Sequence, residues 1–326
     1  MSKLLIKKGE KMTIVIAGYE DNDIFFIADS AITSNNKTLL SGFKKVYSIP
    51  INLHKPYINR TFYRYIPYKA YEGEAVLALA GSTLTAQHII NSINEHLGKI
   101  RFIHKYNQNG IQYSLLRHCN TYDNPFYKKE YTEYVDVYRD EDLYKSIKVQ
   151  DIKNIIEYSI KEALSSASKH VGNDADWKRI IENEYLFALH CPITKRNFLY
   201  QVELKETIQD GIVKAIPNVI EISKNDLAII GLKNNKVDLE SLYKQLVTEK
   251  SDKVSLRMLD ALENLIDAYR EEGNLGVSKP ITYKKFNGKL TKDVSVNRNG
   301  EWIFLDSDDT PIKIIRNKKE LQLNNS

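Results

Sequence analysis

The order of strand-like and helix-like segments predicts an α+β fold, with sheets in the middle and helices outside. Three observations carry that prediction. Strands come in runs rather than alternating singly with helices, as a doubly wound fold requires. The early strands are apolar on both faces, as expected of sheets covered on both sides. The helical stretches are amphipathic, so each has one face to bury against a sheet.

The elements follow in order. Thr13-Ile14-Val15-Ile16-Ala17-Gly18 and Ile24-Phe25-Phe26-Ile27-Ala28 flank an acidic turn and read as a hairpin. A second hairpin pairs 43–49 with 75–80. Between its strands lies an insertion, 50–73, rich in Tyr, Arg and Lys. Gly81-Ser82-Thr83 opens a helix that Ser82 or Thr83 can cap, and Leu84, His88, Ile89, Ser92, Ile93 and His96 recur along it. Residues 101–147 are polar and Tyr-rich with no clean period, and are expected to be a second insertion, partly loop. Val149, Ile152, Ile155, Ile156, Ile160, Ala163 and Leu164 form the stripe of an amphipathic helix over 148–170. A third hairpin, 185–189 with 198–202, turns through Pro192-Ile193-Thr194-Lys195-Arg196-Asn197. A strand at 226–231 breaks at Gly231. Helices follow over 238–249 and 253–270, then strands at 281–286, 294–296 and 302–305. The chain divides into 1–12, a leader or misassigned start; 13–306, one domain carrying both insertions; and 307–326, a polar tail.

Composition narrows the function classes. The chain has 326 residues, 42% apolar and 27% charged, so wholesale disorder is excluded. A net charge of +5 is mild for this length and below that of a dedicated nucleic-acid binder. Two cysteines, Cys119 and Cys191, make neither a disulfide scaffold nor a CxxC pair. No apolar run approaches the roughly 20 residues that span a bilayer. No secretory leader opens the chain, and a soluble, cytoplasmic protein is expected.

Familiar catalytic patterns are missing. There is no GxGxxG, no GxxxxGK[ST] and no GxSxG. The seven histidines show no HExxH or HxH spacing. His88 and His96 sit two turns apart on a helix and read as polar decoration rather than a metal pair. No metal or cofactor is expected. The 50–73 insertion has the aromatics and cations to stack bases, yet ordinary amphipathic loops share them, and no nucleic-acid partner is expected.

One constellation is more specific. Thr13 opens the first strand, Asp29 ends the second, and Lys45 lies in Lys44-Lys45-Val46. Were Thr13 the first residue of the mature chain, its own α-amine, with a pKa of roughly 7.7–8.0, would suit a base near neutral pH. The Lys45 ammonium would lower the hydroxyl's pKa, and the Asp29 carboxylate would keep that ammonium charged.

These residues, together with Ala28-Asp29-Ser30-Ala31-Ile32-Thr33 and Ala80-Gly81-Ser82, resemble the opening of proteasome β-type subunits and of the bacterial HslV peptidase. The resemblance is dense over 12–97 and thinner at 185–231 and around Asp267. It implies an N-terminal-nucleophile (Ntn) hydrolase: a four-layer αββα sandwich of two antiparallel sheets with helices outside. It also implies Thr13 as nucleophile, Asp29 and Lys45 as its supporting pair, the Gly81 amide as oxyanion donor and Asp267 as the family's late aspartate. The implied activity is threonine-type peptidase cleavage of peptides or unfolded protein, by a homo-oligomeric ring that an ATPase unfoldase can serve.

The chain departs from that pattern in three places. Gly231-Leu232-Lys233 lacks the family's serine, Arg270 stands where a second serine is expected, and both insertions are long. These departures keep two alternatives open: a noncatalytic proteasome-like scaffold or assembly subunit, and an Ntn amidase acting on a small-molecule amide. Twelve residues precede Thr13. Lys8-Gly9-Glu10-Lys11-Met12 can be encoded by a purine-rich ribosome-binding sequence ending in ATG. Translation is therefore expected to begin at Met12, whose removal exposes Thr13.

Overall fold

Strand alternation sets the architecture of the computed structural model. Strands β1 (Ile14–Glu20) and β2 (Asp23–Ala28) pair antiparallel, Val15 opposite Ala28. Residues 13–34, 37–40, 43–59, 61–108, 110–127, 138–170, 177, 180–209, 212–231, 235–273, 276–291, 293–296, 302–305 and 311–315 are described. The expected leader, and Leu232 and Lys233, lie outside them.

A short hairpin, β3 (Ile32–Ser34) and β4 (Lys37–Leu40), follows the first pair. Strand β5 (Val46–Ile51) pairs with β8 (Gly73–Ala80), and β6 (Leu53–Asn59) and β7 (Thr61–Pro67) lie between them. Helix α1 (Thr83–Leu97) leads to β9 (Ile100–Asn107) and β10 (Gly110–Leu116), then to helices α2 (Asp140–Lys145) and α3 (Val149–Ser168). Ser82 sits at the N-cap position of α1 but makes no side-chain capping bond. Strands β11 (Glu184–His190), β12 (Asn197–Gln209), β13 (Ile212–Ile222) and β14 (Ala228–Gly231) come next. Helices α4 (Lys236–Thr248) and α5 (Val254–Glu271) precede β15 (Thr282–Phe286), β16 (Asp293–Val296), β17 (Trp302–Leu305) and β18 (Pro311–Ile315).

Two larger sheets result, both antiparallel. One runs β14-β1-β2-β15-β16-β17-β18, the other β13-β12-β11-β8-β5. Successive side chains of a strand point to opposite faces, and the apolar runs use both. Val15, Ala17, Ile24, Phe26 and Ala28 of the first sheet share a buried cluster with Val46, Val76, Ala78, Leu186 and Ala188 of the second. The alternate residues Ile14, Ile16, Phe25 and Ile27 pack with Tyr243, Met258, Leu262 and Ile266 of α4 and α5. On the second sheet, Leu77, Leu79, Tyr185 and Phe187 pack with Ile89, Ile93, Ile152, Ile156 and Ile160 of α1 and α3. Each Val, Leu, Ile, Phe or Met side chain among them contributes about 1.5–3 kcal/mol relative to exposure. This is why these strands carry no polar face.

Two segments carry strands that the sequence reading does not give them. Within 101–147, expected to be partly loop, the described residues include a regular pair: β9 and β10 match over seven residue positions, Arg101 opposite Leu116 through Asn107 opposite Gly110. They join the other insertion in a four-stranded sheet, β10-β9-β6-β7, through a short parallel contact of Leu53 with Ile100 and His54 with Arg101. An aromatic seam binds the two insertions: Phe62 stacks on Phe126 at 4.6 Å, Arg101 lies 4.7 Å from the Tyr65 ring, and Asn124 Nδ2 donates to Tyr65 Oη at 2.9 Å. The segment expected to be a polar tail contributes β18, which pairs with β17.

Candidate active site

Thr13, Asp29 and Lys45 meet at one end of the two large sheets. The first hairpin brings Asp29 beside the start of β1: its backbone N–H donates to Ile14 O at 3.1 Å. Its carboxylate then closes on the same place. Oδ1 accepts from Ile14 N at 2.9 Å and Oδ2 from Ala31 N at 3.0 Å. Lys45 precedes β5 in the other sheet, where its carbonyl accepts from Leu79 N at 3.1 Å. Its ammonium crosses to Asp29 Oδ1 at 2.6 Å and to Thr13 Oγ1 at 3.3 Å. Asp29 is fully buried and Lys45 is 3% exposed, while Thr13 is half-buried.

Electrostatics follow from that burial. Desolvation pushes the Lys45 pKa below its ordinary 10.5, and the Asp29 charge and hydrogen bond oppose the shift without cancelling it. A lysine so placed surrenders its proton more readily than a surface lysine. Three hydrogen bonds fix the carboxylate that holds it.

Two glycines end strands at this edge of the sheets, and the second brings the backbone close to Thr13. Gly81 follows β8 with φ 129°, and a Cβ there would lie 2.5 Å from Asn183 Oδ1. Gly231 ends β14 opposite Ile14 with φ 92°, and a Cβ there would lie 1.8 Å from Thr13 O and 3.4 Å from Ala80 Cβ. Only glycine fits such a conformation and such an approach.

Glu184 is the residue that sequence reasoning misses. It opens β11 opposite Ala80 and is buried at 9% exposure. Its Oε2 accepts from Gly231 N at 2.8 Å, so a side chain of the five-stranded sheet clamps the seven-stranded sheet beside Thr13. A glutamate before an apolar run carries no sequence signal for that role. We expect Glu184→Ala to lose about 1–3 kcal/mol, because a buried N–H is left unpaired. Glu184→Gln keeps an acceptor and should lose less than half as much. Urea midpoints of the two variants, read against wild type, check this; equal losses would refute the clamp.

Asp267 is not brought into the Thr13–Lys45–Asp29 contact. It lies on α5, about half exposed, and engages Lys279 Nζ at 2.9 Å, which also reaches Glu263 at 3.2 Å. The adjacent Ser278 accepts from Ser30 N at 3.3 Å, so Asp267 buttresses a loop that touches the residue after Asp29. Arg270, in the last turn of α5, is exposed. Among the described residues no group of three or more His, Cys, Asp or Glu side chains is placed to hold a metal ion. His96 Nδ1 bonds Ser92 O at 2.9 Å and its ring lies beside His118, while His88 is exposed. Both cysteines are free thiols. No described helix is long and apolar enough to cross a membrane.

Among solved structures, the Anbu (Gly-1) mutant from Hyphomicrobium sp. strain MC1 is similar over 88% of this chain and 88% of its own, at 14% identity and a TM-score of 0.48. No protein-family model matches the chain, and no curated protein does.

Proposed function

We propose that this protein is a proteasome-like threonine peptidase whose nucleophile is Thr13 at a mature N-terminus. One observation carries the reading: a buried lysine amine lies 3.3 Å from a threonine hydroxyl and 2.6 Å from a buried carboxylate. The three packed clusters support a four-layer αββα sandwich, with the site at one end of its two sheets.

In this reading residues 1–12 are absent from the mature chain. The free α-amine of Thr13, with an intrinsic pKa of about 7.7–8.0, takes the hydroxyl proton. Thr13 Oγ1 bonds the substrate carbonyl carbon while Lys45 stabilises the developing alkoxide. The Gly81 amide faces the oxyanion. The proton passes to the leaving amine as the C–N bond breaks, which leaves an ester on Thr13. Water attacks that ester, restores the hydroxyl and releases the acid. Asp29 holds Lys45 throughout; Asp267 acts at a remove, through Lys279 and Ser278. The substrate is a peptide or unfolded protein. Exposed Ile208, Val213, Ile216 and Ile220 on the β12–β13 hairpin, whose outer strand is an edge, support a homo-oligomer, such as a ring that an ATPase unfoldase can serve in the cytoplasm.

A threonine-directed epoxyketone tests the reading. Native protein whose N-terminus is Thr13 is expected to gain one adduct by intact mass, and Thr13→Ala none. Correctly processed protein that gains none is a noncatalytic scaffold instead. Labelled protein that hydrolyses small acyl-amides but no peptide is a small-molecule amidase.

A further inference from the structure

A second polar site lies at the opposite end of β8. Gly73 is seven residues from Ala80, about 23 Å along a strand, and borders a cavity of about 310 Å³. The turn between β11 and β12 and the turn after β15 form its walls. His190, Lys195, Lys289, Tyr71, Tyr144 and Glu72 line it.

The histidine is held by a built network. His190 and Asn197 are the last cross-strand pair of the β11–β12 hairpin, and His190 Nδ1 meets Asn197 Oδ1 at 2.8 Å. Asn197 is 7% exposed, and its Nδ2 donates to two carbonyls, Asn22 O at 2.6 Å and Phe286 O at 3.4 Å. Those carbonyls fix which end of the amide is the acceptor. His190 Nδ1 must therefore carry a proton, and Nε2 is the atom left for a ligand. Gly288, with φ 103°, lets the second turn close on the ring: a Cβ there would lie 3.1 Å from His190 Cγ. Lys195 adopts φ 54°, a conformation a lysine takes at a cost of about 1–2 kcal/mol. Glu72, the one carboxylate of the lining, is engaged by Lys289 at 3.4 Å.

We infer that this cavity binds the phosphate group of a small phosphorylated metabolite. Lys195 supplies charge, Lys289 shares its own with Glu72, and a singly protonated phosphate has oxygens enough to meet both lysines while its hydroxyl donates to His190 Nε2, a donor that a carboxylate lacks. Tyr71 and Tyr144 offer ring surface to the organic part.

Isothermal titration of the full chain with inorganic phosphate and with ribose 5-phosphate, at constant ionic strength, tests the assignment. We expect saturable binding, tighter for ribose 5-phosphate, and at least tenfold weaker in Lys195→Gln, an exposed position that leaves folding intact. His190→Gln should weaken binding, while Thr13→Ala leaves it unchanged. Absence of saturable binding, equal binding of acetate, or an unchanged affinity in Lys195→Gln overturns the inference.

Discussion

Lys45→Met is expected to lower the rate of Thr13 modification by about 10²–10³-fold, the range for removing one preorganised donor that stabilises developing negative charge. The change also leaves the Asp29 carboxylate buried without its cation. Removing one partner of a buried pair costs about 3–5 kcal/mol. Two backbone N–H groups still hold Asp29, which places the expected loss at the lower end of that range. The two effects are separable, because labelling can be measured well below the variant's unfolding midpoint. A variant that folds and labels at the wild-type rate would remove Lys45 from the mechanism.

The pH dependence has a definite direction. Burial holds the Lys45 pKa below 10.5, so between the folded value and 10.5 the unfolded chain binds more protons. Lys45 therefore adds stability above that window and withdraws it as the pH falls through the folded value. Urea midpoints of wild type should rise with pH across the window, and those of Lys45→Met should lose that rise.

Gly231→Ala is the second large effect. A Cβ would lie 1.8 Å from Thr13 O and 2.7 Å from Thr13 C, both backbone atoms with no rotamer to yield. The φ of 92° adds strain for any L side chain. The expected loss is about 3–5 kcal/mol from overpacking and strain together. Because β14 pairs with β1 at Ile14, the displacement reaches the nucleophile, so labelling should fall with stability. Near wild-type unfolding and labelling would show that β14 does not press on Thr13.

Much of this frame is legible in the chain. Runs such as Ile24-Phe25-Phe26-Ile27-Ala28 are apolar at every position because one set of alternate residues meets the other sheet and the other set meets helices. The approach of Thr13, Asp29 and Lys45 is readable because each sits at a strand end. Strand β9 is not readable. Arg101, His104 and Lys105 break its apolar pattern, and its place comes from pairing with β6, dozens of residues away. Strand β13 is hidden by Pro217, which an edge strand tolerates and a central one would not. Glu184 is invisible for a different reason. Its partner is a backbone N–H 47 residues later, and no local pattern encodes that contact.

The parallel seam between β6 and β9 makes the two excursions from the core mutually dependent. Trimming 50–73 alone would strip β9 of its neighbour and bare Phe126, whose stacking ring Phe62 would be gone. Trimming the later one would do the same to β6. Such a pair can be gained or shed only in step, so an engineered minimal version of this chain must delete both or neither.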